Sequence, residues 1–176
     1  MRTLLVLGLA FVAAAGAAFY ILTIPVVFTA SDLPDHAPDV SNGKNLFIAG
    51  GCAECHAVPV GACDSLDIED ETQLAGGRCL RTDVGTFYAP NISPDPESGI
   101  GGWSTLDFVN AMKRGVAPGG VHLYPVFPYT SYQRMRFSDL IDLKAYLDTL
   151  PPVRSAVRDN DLRFPYNIRP VSYTHL

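Results

Sequence analysis

From Thr3 to Ser31 the chain runs for 29 residues without a charged side chain. No comparable run occurs elsewhere, so the sequence divides into one apolar segment and one domain of ordinary composition. Leu4 to Ile24 is almost wholly Leu, Val, Ala, Phe, Gly, Tyr and Ile. A helix of that length reaches about 30 Å, the thickness of the hydrocarbon core of a bilayer. A cleaved signal would have an apolar core of about 7–15 residues followed by a small-residue site. Here Ala13, Ala15 and Ala17 lie inside the run, which continues through Tyr20 and Ile24 to Pro25. The expectation is therefore a retained single-pass anchor, with a cleaved signal as the alternative. Arg2 stays inside under the positive-inside bias, and everything after Pro25 is exported. Residues 1–30 form the anchor or signal and the polar, proline-rich residues 31–40 a linker.

The rest of the chain carries little that would bind nucleic acid. The net charge is −5, whereas a nucleic-acid surface needs a basic face. Ser31–Ile100 holds 12 acidic and 3 basic residues, and Gly101–Leu176 holds 6 acidic and 9 basic. The acidic run Asp67, Glu69, Asp70 and Glu71 either steers a basic partner or forms a solvated loop. Three helices are expected. The first runs from Asn42 to about Gly50, capped by Ser41; the second opens at Ser104 with Asp107 in a capping box and closes at Gly115. The third runs from Asp139 to Leu150, with Ser138 as cap and Pro151-Pro152 as stop. Between them lie long irregular stretches, 57–102 and 116–137. The fold class is therefore all-α, with a core so thin that it needs a staple or a bound group.

Cys52-Ala53-Glu54-Cys55-His56 supplies one. C-x-x-C-H is the attachment sequence of c-type haem. Two thiols one helical turn apart can add to the two porphyrin vinyl groups, and the following histidine can then give Nε2 to the iron. A redox C-x-x-C has no use for the histidine and sits in a βαβ pattern, which is absent. A zinc site would recruit Cys63 and Cys79, but these do not form a second close-spaced pair. A plain Cys52–Cys55 disulfide leaves His56 unexplained. The reading is one covalent haem c on Cys52 and Cys55 with His56 as proximal ligand. Cys63 and Cys79 then remain in an oxidising compartment and are expected to pair, closing 15 intervening residues at a stabilisation of at most about 3 kcal/mol. Two separate thiols are the alternative.

Gly43-x-x-x-Phe47 before the motif and Tyr146-Leu147 on the last helix resemble class I cytochrome c, in which the first and last helices cross at a glycine and an aromatic. Phe87-Tyr88-Ala89-Pro90-Asn91-Ile92 resembles that class's Gly-Pro-Asn-Leu segment, which implies that the Pro90 carbonyl accepts the Nδ1–H of His56. The resemblance implies a small class I cytochrome domain, residues 41–155, with long loops around one haem. Leu74-Ala75-Gly76-Gly77, Gly85–Ile92, Gly99–Ser104 and Leu123–Tyr132 narrow it further. They resemble the membrane-associated cytochrome c subunits of bacterial periplasmic alcohol, aldehyde and gluconate dehydrogenases. Such a subunit takes electrons from the dehydrogenase and passes them to quinone or another cytochrome, and catalyses no bond chemistry itself.

An electron-transfer haem needs both axial positions filled. A peroxidase-like or gas-binding domain, the alternative function, needs the sixth one open. Met112, Met135, His122 and His175 follow the motif. Met112 shares an apolar helical face with Leu106, Phe108 and Val109, so packing accounts for it. Met135 comes from the loop before the last helix, as the ligand methionine does in class I cytochromes, and is the expected distal ligand. Family members commonly carry two or three haem domains, whereas this chain has one motif. Phe164–Arg169 resembles the family's linker into a second domain, and Val171–Leu176 reads as foreign sequence. Residues 156–176 are thus expected to be a truncated linker and a tail.

Overall fold

The computed structural model describes residues 2–167. Helix α1, Arg2–Leu22, has no buried residue and is long and apolar enough to cross a membrane. The domain then contains α2 (Val40–Ala49), α3 (Cys52–His56), α4 (Thr105–Arg114), α5 (Tyr129–Tyr132) and α6 (Phe137–Leu147). The all-α expectation needs correction. Strands β1 (Cys79–Thr82), β2 (Gly85–Tyr88) and β5 (Asp161–Leu162) form an antiparallel sheet in the order β1-β2-β5, and β3 (Val116–Ala117) pairs with β4 (Val121–His122). The strands occupy stretches expected to be irregular. Gly85-Thr86-Phe87-Tyr88 is short but strand-prone, buries Phe87, and exposes main chain that pairs on both sides. The pairing of β5 ties part of the segment expected as a trailing linker back onto the domain.

Helix ends also depart from expectation. The cap of α2 is Asp39, not Ser41: its carboxylate accepts the main-chain N–H of Ser41 and of Asn42. The last helix begins at Phe137 and places Ser138 inside its first turn; its N-cap, Arg136, makes no side-chain cap bond. Helix α4 follows the sequence closely, with the Ser104–Asp107 capping box and a left-handed Gly115. The foreign-looking residues Val171–Leu176, His175 among them, lie outside the described residues.

The core is organised by the crossing of α2 and α6. A Cβ on Gly43 would lie 2.0 Å from the Asp142 carbonyl oxygen and 2.8 Å from the Tyr146 Cβ, so only glycine permits this approach. Phe47 packs on Tyr146 with ring centroids 5.3 Å apart. Leu140, Leu143 and Leu147 of α6 join Phe47, Leu74, Phe108 and Val109 in the core. Its size is modest, as the sequence implied.

The expected linker, residues 31–40, is fastened to this crossing. Asp142, 3% exposed, accepts from His36 Nε2 at 2.7 Å, from the Asp39 N–H at 2.7 Å and from Asn42 Nδ2 at 2.8 Å. Burial alone would raise its carboxyl pKa, but the Asp39, Asn42 and His36 donors outweigh it and hold the group below the usual carboxylate value. A depressed pKa contributes stability that is present above the unfolded value, near 3.9, and lost as pH falls through the folded one. Asp142→Asn is expected to cost about 2 kcal/mol at neutral pH. It should also flatten the loss of stability below about pH 4; urea unfolding across pH checks both.

A disulfide joins Cys63 and Cys79, as expected. It closes a loop pinned within itself by the buried Arg78 guanidinium on the Ser65 carbonyl, and to the segment before it by the Val60 N–H on the Asp67 carbonyl. The double variant Cys63→Ala, Cys79→Ala is expected to lose up to about 3 kcal/mol. The change should appear as a lower denaturation midpoint that reductant no longer shifts.

Candidate functional site

The motif folds where helix α2 stops. Gly51, left-handed, turns the chain into the single-turn helix α3, which carries Cys52, Cys55 and His56. Cys52 is half-buried and Cys55 exposed, and neither is in a disulfide. Burial pushes the Cys52 thiol up to about 11. Burial also lowers the His56 pKa, against an opposing pull from the Pro90 carbonyl, so the imidazole is neutral and able to bind a metal.

His56 Nδ1 lies 2.8 Å from the Pro90 carbonyl oxygen. As donor there it leaves Nε2 as the ligating nitrogen. The Pro90 carbonyl is held from behind by close main-chain contact. Gly76 donates its N–H to the His56 carbonyl and Gly77 donates to the Ala89 carbonyl, at 2.8 and 2.9 Å. A Cβ on Gly76 would lie 2.5 Å from the Ala89 carbonyl oxygen, at a positive φ of 72°. Beyond Pro90, the buried Asn91 donates Nδ2 to the Val153 carbonyl at 2.7 Å and accepts the Ser93 N–H at 2.8 Å.

On the other side of Cys52 opens an apolar cleft of about 200 Å³ lined by Leu46, Ala49, Gly50, Cys52, Met112, Tyr132, Met135 and Leu143. Both methionines reach it. Met112, expected only to pack the core, is buried; Met135 is half-buried. The Met135 loop is tied down twice. Its N–H donates to the Tyr132 carbonyl at 2.9 Å. Lys113 Nζ donates to the carbonyls of Gln133 and Met135, each at 2.6 Å, and sits 4.9 Å from the Phe137 ring centroid. His122 does not line the cleft; its Nε2 lies 3.2 Å from the Thr23 carbonyl oxygen.

The donor set fits a covalent haem: two unpaired thiols at attachment spacing, an imidazole locked with Nε2 as the ligating nitrogen, and thioethers in an apolar cleft. The family model for cytochrome c matches residues 40–151. The chain belongs to the cytochrome c family. That family binds haem c covalently, and its members transfer electrons. The chain is 47% identical over 171 residues to a diheme cytochrome c-type protein of Cereibacter sphaeroides, an alignment covering 96% of this chain and 55% of that one. It is 38% identical over 138 residues to the gluconate 2-dehydrogenase cytochrome c subunit of Pantoea cypripedii, covering 77% of this chain and 29% of that one. It is 35% identical over 135 residues to the fructose dehydrogenase cytochrome subunit of Gluconobacter japonicus, covering 76% and 26%. The chain thus spans about half the length of the diheme cytochrome and less of the other two.

Sequence reasoning missed Tyr132 and Lys113. Tyr132 stands on the four-residue helix α5, too short to leave a periodic pattern, and its hydroxyl lies 3.5 Å from the Gly50 carbonyl oxygen. Lys113 reads as an ordinary cation in the last turn of α4, where the dipole favours it; nothing local marks its two long-range carbonyl partners.

Proposed function

We propose that this chain relays electrons through one haem c. Cys52 and Cys55 form its thioether bonds, His56 Nε2 is the proximal ligand and Met135 the distal one. When bound, the haem supplies a one-electron couple. The work of the chain is to hold both axial donors in place, keep water off the iron and set the potential. The Pro90 carbonyl orients His56 and raises its basicity. A thioether at the sixth position favours the reduced state and raises the potential. The observation that carries this reading is the tethered Met135 loop in the same cleft as Cys52. Electrons come from a periplasmic dehydrogenase and leave to quinone or another cytochrome. The chain is held at the inner membrane by α1. Kinship with cytochrome subunits of gluconate and fructose dehydrogenases supports this relay.

The double variant Cys52→Ala, Cys55→Ala should lose all haem stain on a denaturing gel, while the unaltered chain keeps it. Met135→Ala should abolish the weak near-infrared sulfur-to-iron absorption band, bind carbon monoxide when reduced and lower the potential. Met112→Ala should keep the band. Lys113→Met, which removes the tether, should lower the temperature at which the band disappears. Carbon monoxide binding by the unaltered reduced protein would replace this reading with an open sixth position.

A further inference from the structure

Helix α1 ends at Leu22, and Thr23 closes its last turn by donating Oγ1 to the Phe19 carbonyl at 2.8 Å. The chain beyond is not a free tether. The Thr23 carbonyl oxygen is 3.2 Å from His122 Nε2 on β4. Pro25, Val27 and Phe28 share a groove with Val116, Ala117, Pro118, Gly119 and Gly120 of the β3–β4 hairpin. At Phe28 the strap is clamped. Its N–H donates to Asn110 Oδ1 at 2.7 Å, and Asn110 Nδ2 donates back to its carbonyl at 3.1 Å. Its ring stands edge-on to Phe137 at 5.1 Å, with the Arg114 guanidinium 4.4 Å from its centroid. Asn110 is buried, so this amide pairing is a built part of the domain.

These contacts fix which end of the domain lies at the end of α1. Phe28 is five positions after Thr23, at most about 18 Å of extended chain, and His122 meets the residue that follows the helix directly. We propose that the β3–β4 hairpin rests in the headgroup layer of the bilayer, so that the cytochrome domain is held at one orientation instead of swinging on a linker. This rests on the reading of α1 as a retained membrane span. With α1 across the bilayer, Thr23 lies at the outer interface and carries His122 and Val121 with it. The hairpin tip Pro118-Gly119-Gly120-Val121 has no charge, and Val121 is 52% exposed. Ile24, Val26 and Val27 of the strap are exposed apolar side chains beside it. Arg114 on the adjoining helix end suits anionic lipid phosphate. Helix α4 carries both Asn110, which grips the strap, and Met112, which lines the cleft. The cleft is therefore held about one helix diameter, roughly 10 Å, from the strap.

The test uses the full haem-loaded chain, alone in nanodiscs of phosphatidylethanolamine and phosphatidylglycerol, with the haem oxidised and each access parameter taken relative to the same sample under nitrogen. A nitroxide is placed at Val121→Cys or, as reference, at Leu66→Cys, a position 85% exposed in the disulfide-closed insert. Power saturation compares access by oxygen, which partitions into lipid, with access by a water-soluble nickel chelate. The oxygen-to-nickel ratio is expected to be several-fold higher at Val121 than at Leu66. Equal ratios, or a Val121 label shielded from both quenchers, would overturn the proposal while leaving the anchor intact. An intact mass showing that the mature chain lacks α1 would overturn the anchor reading and this inference with it.

Discussion

The contact of main chain against main chain at Gly43 fixes the crossing of the two helices from which Cys52, Cys55, His56 and Met135 extend. Where α2 meets α6 the Asp142 carbonyl occupies the space of a Cβ, so the two helices approach as closely as their backbones allow. Helix α3, with both attachment cysteines and His56, starts within three residues of the end of α2. Met135 stands two residues before α6. The segments that carry His56 and Met135, the two proposed axial donors, are thus extensions of the two crossing helices. Asp142 reinforces the crossing, since one buried carboxylate collects donors from His36 in the segment before α2, from the cap of α2 and from α2 itself.

The proximal side depends on main-chain geometry of a different kind. No helix presents Pro90; the Gly77 N–H holds the strand that leads to it through the Ala89 carbonyl, the Gly76 N–H holds the His56 carbonyl, and the buried Asn91 fixes the segment that leaves it. The disulfide-closed insert opens just after His56 and returns at Cys79 to start the sheet. Such polar, loop-borne support is what a domain with a small apolar core must use, because side-chain burial alone gives too little area to offset the entropy of ordering long loops. Buried Asn91, Ser93, Asn110 and Asp142 all serve in it, each bonded to groups distant in sequence.

Much of the chemistry was legible from local pattern. The spacing of Cys52, Cys55 and His56 is chemical and needs no fold to be read. The α4 boundaries followed from the Ser104–Asp107 pair and Gly115, since capping is an interaction within one turn. The Cys63–Cys79 bond followed from the compartment and from the absence of other partners. Strands were missed because β2 and β5 are short and 70 or more residues apart, so neither shows an alternating run long enough to recognise. The cap of α2 was misplaced by two residues because Asp39 and Ser41 are both good caps, and only the docking of residues 31–40 on Asp142 favours Asp39.

By itself the sequence determined that the chain has one segment fit to span a membrane, one C-x-x-C-H motif, a cystine pair and a crossing glycine, because each rests on neighbours within a few residues or on residue chemistry alone. Only the tertiary structure decided that both methionines share the Cys52 cleft, that Lys113 grips the Met135 loop, and that the chain between α1 and α2 is bound to β4 through Thr23, to α4 through Phe28 and to α6 through His36. Those contacts join groups between 20 and 106 positions apart. Their free energy comes from burying and pairing polar groups that meet only after the chain has closed on itself, and no local pattern records such a meeting.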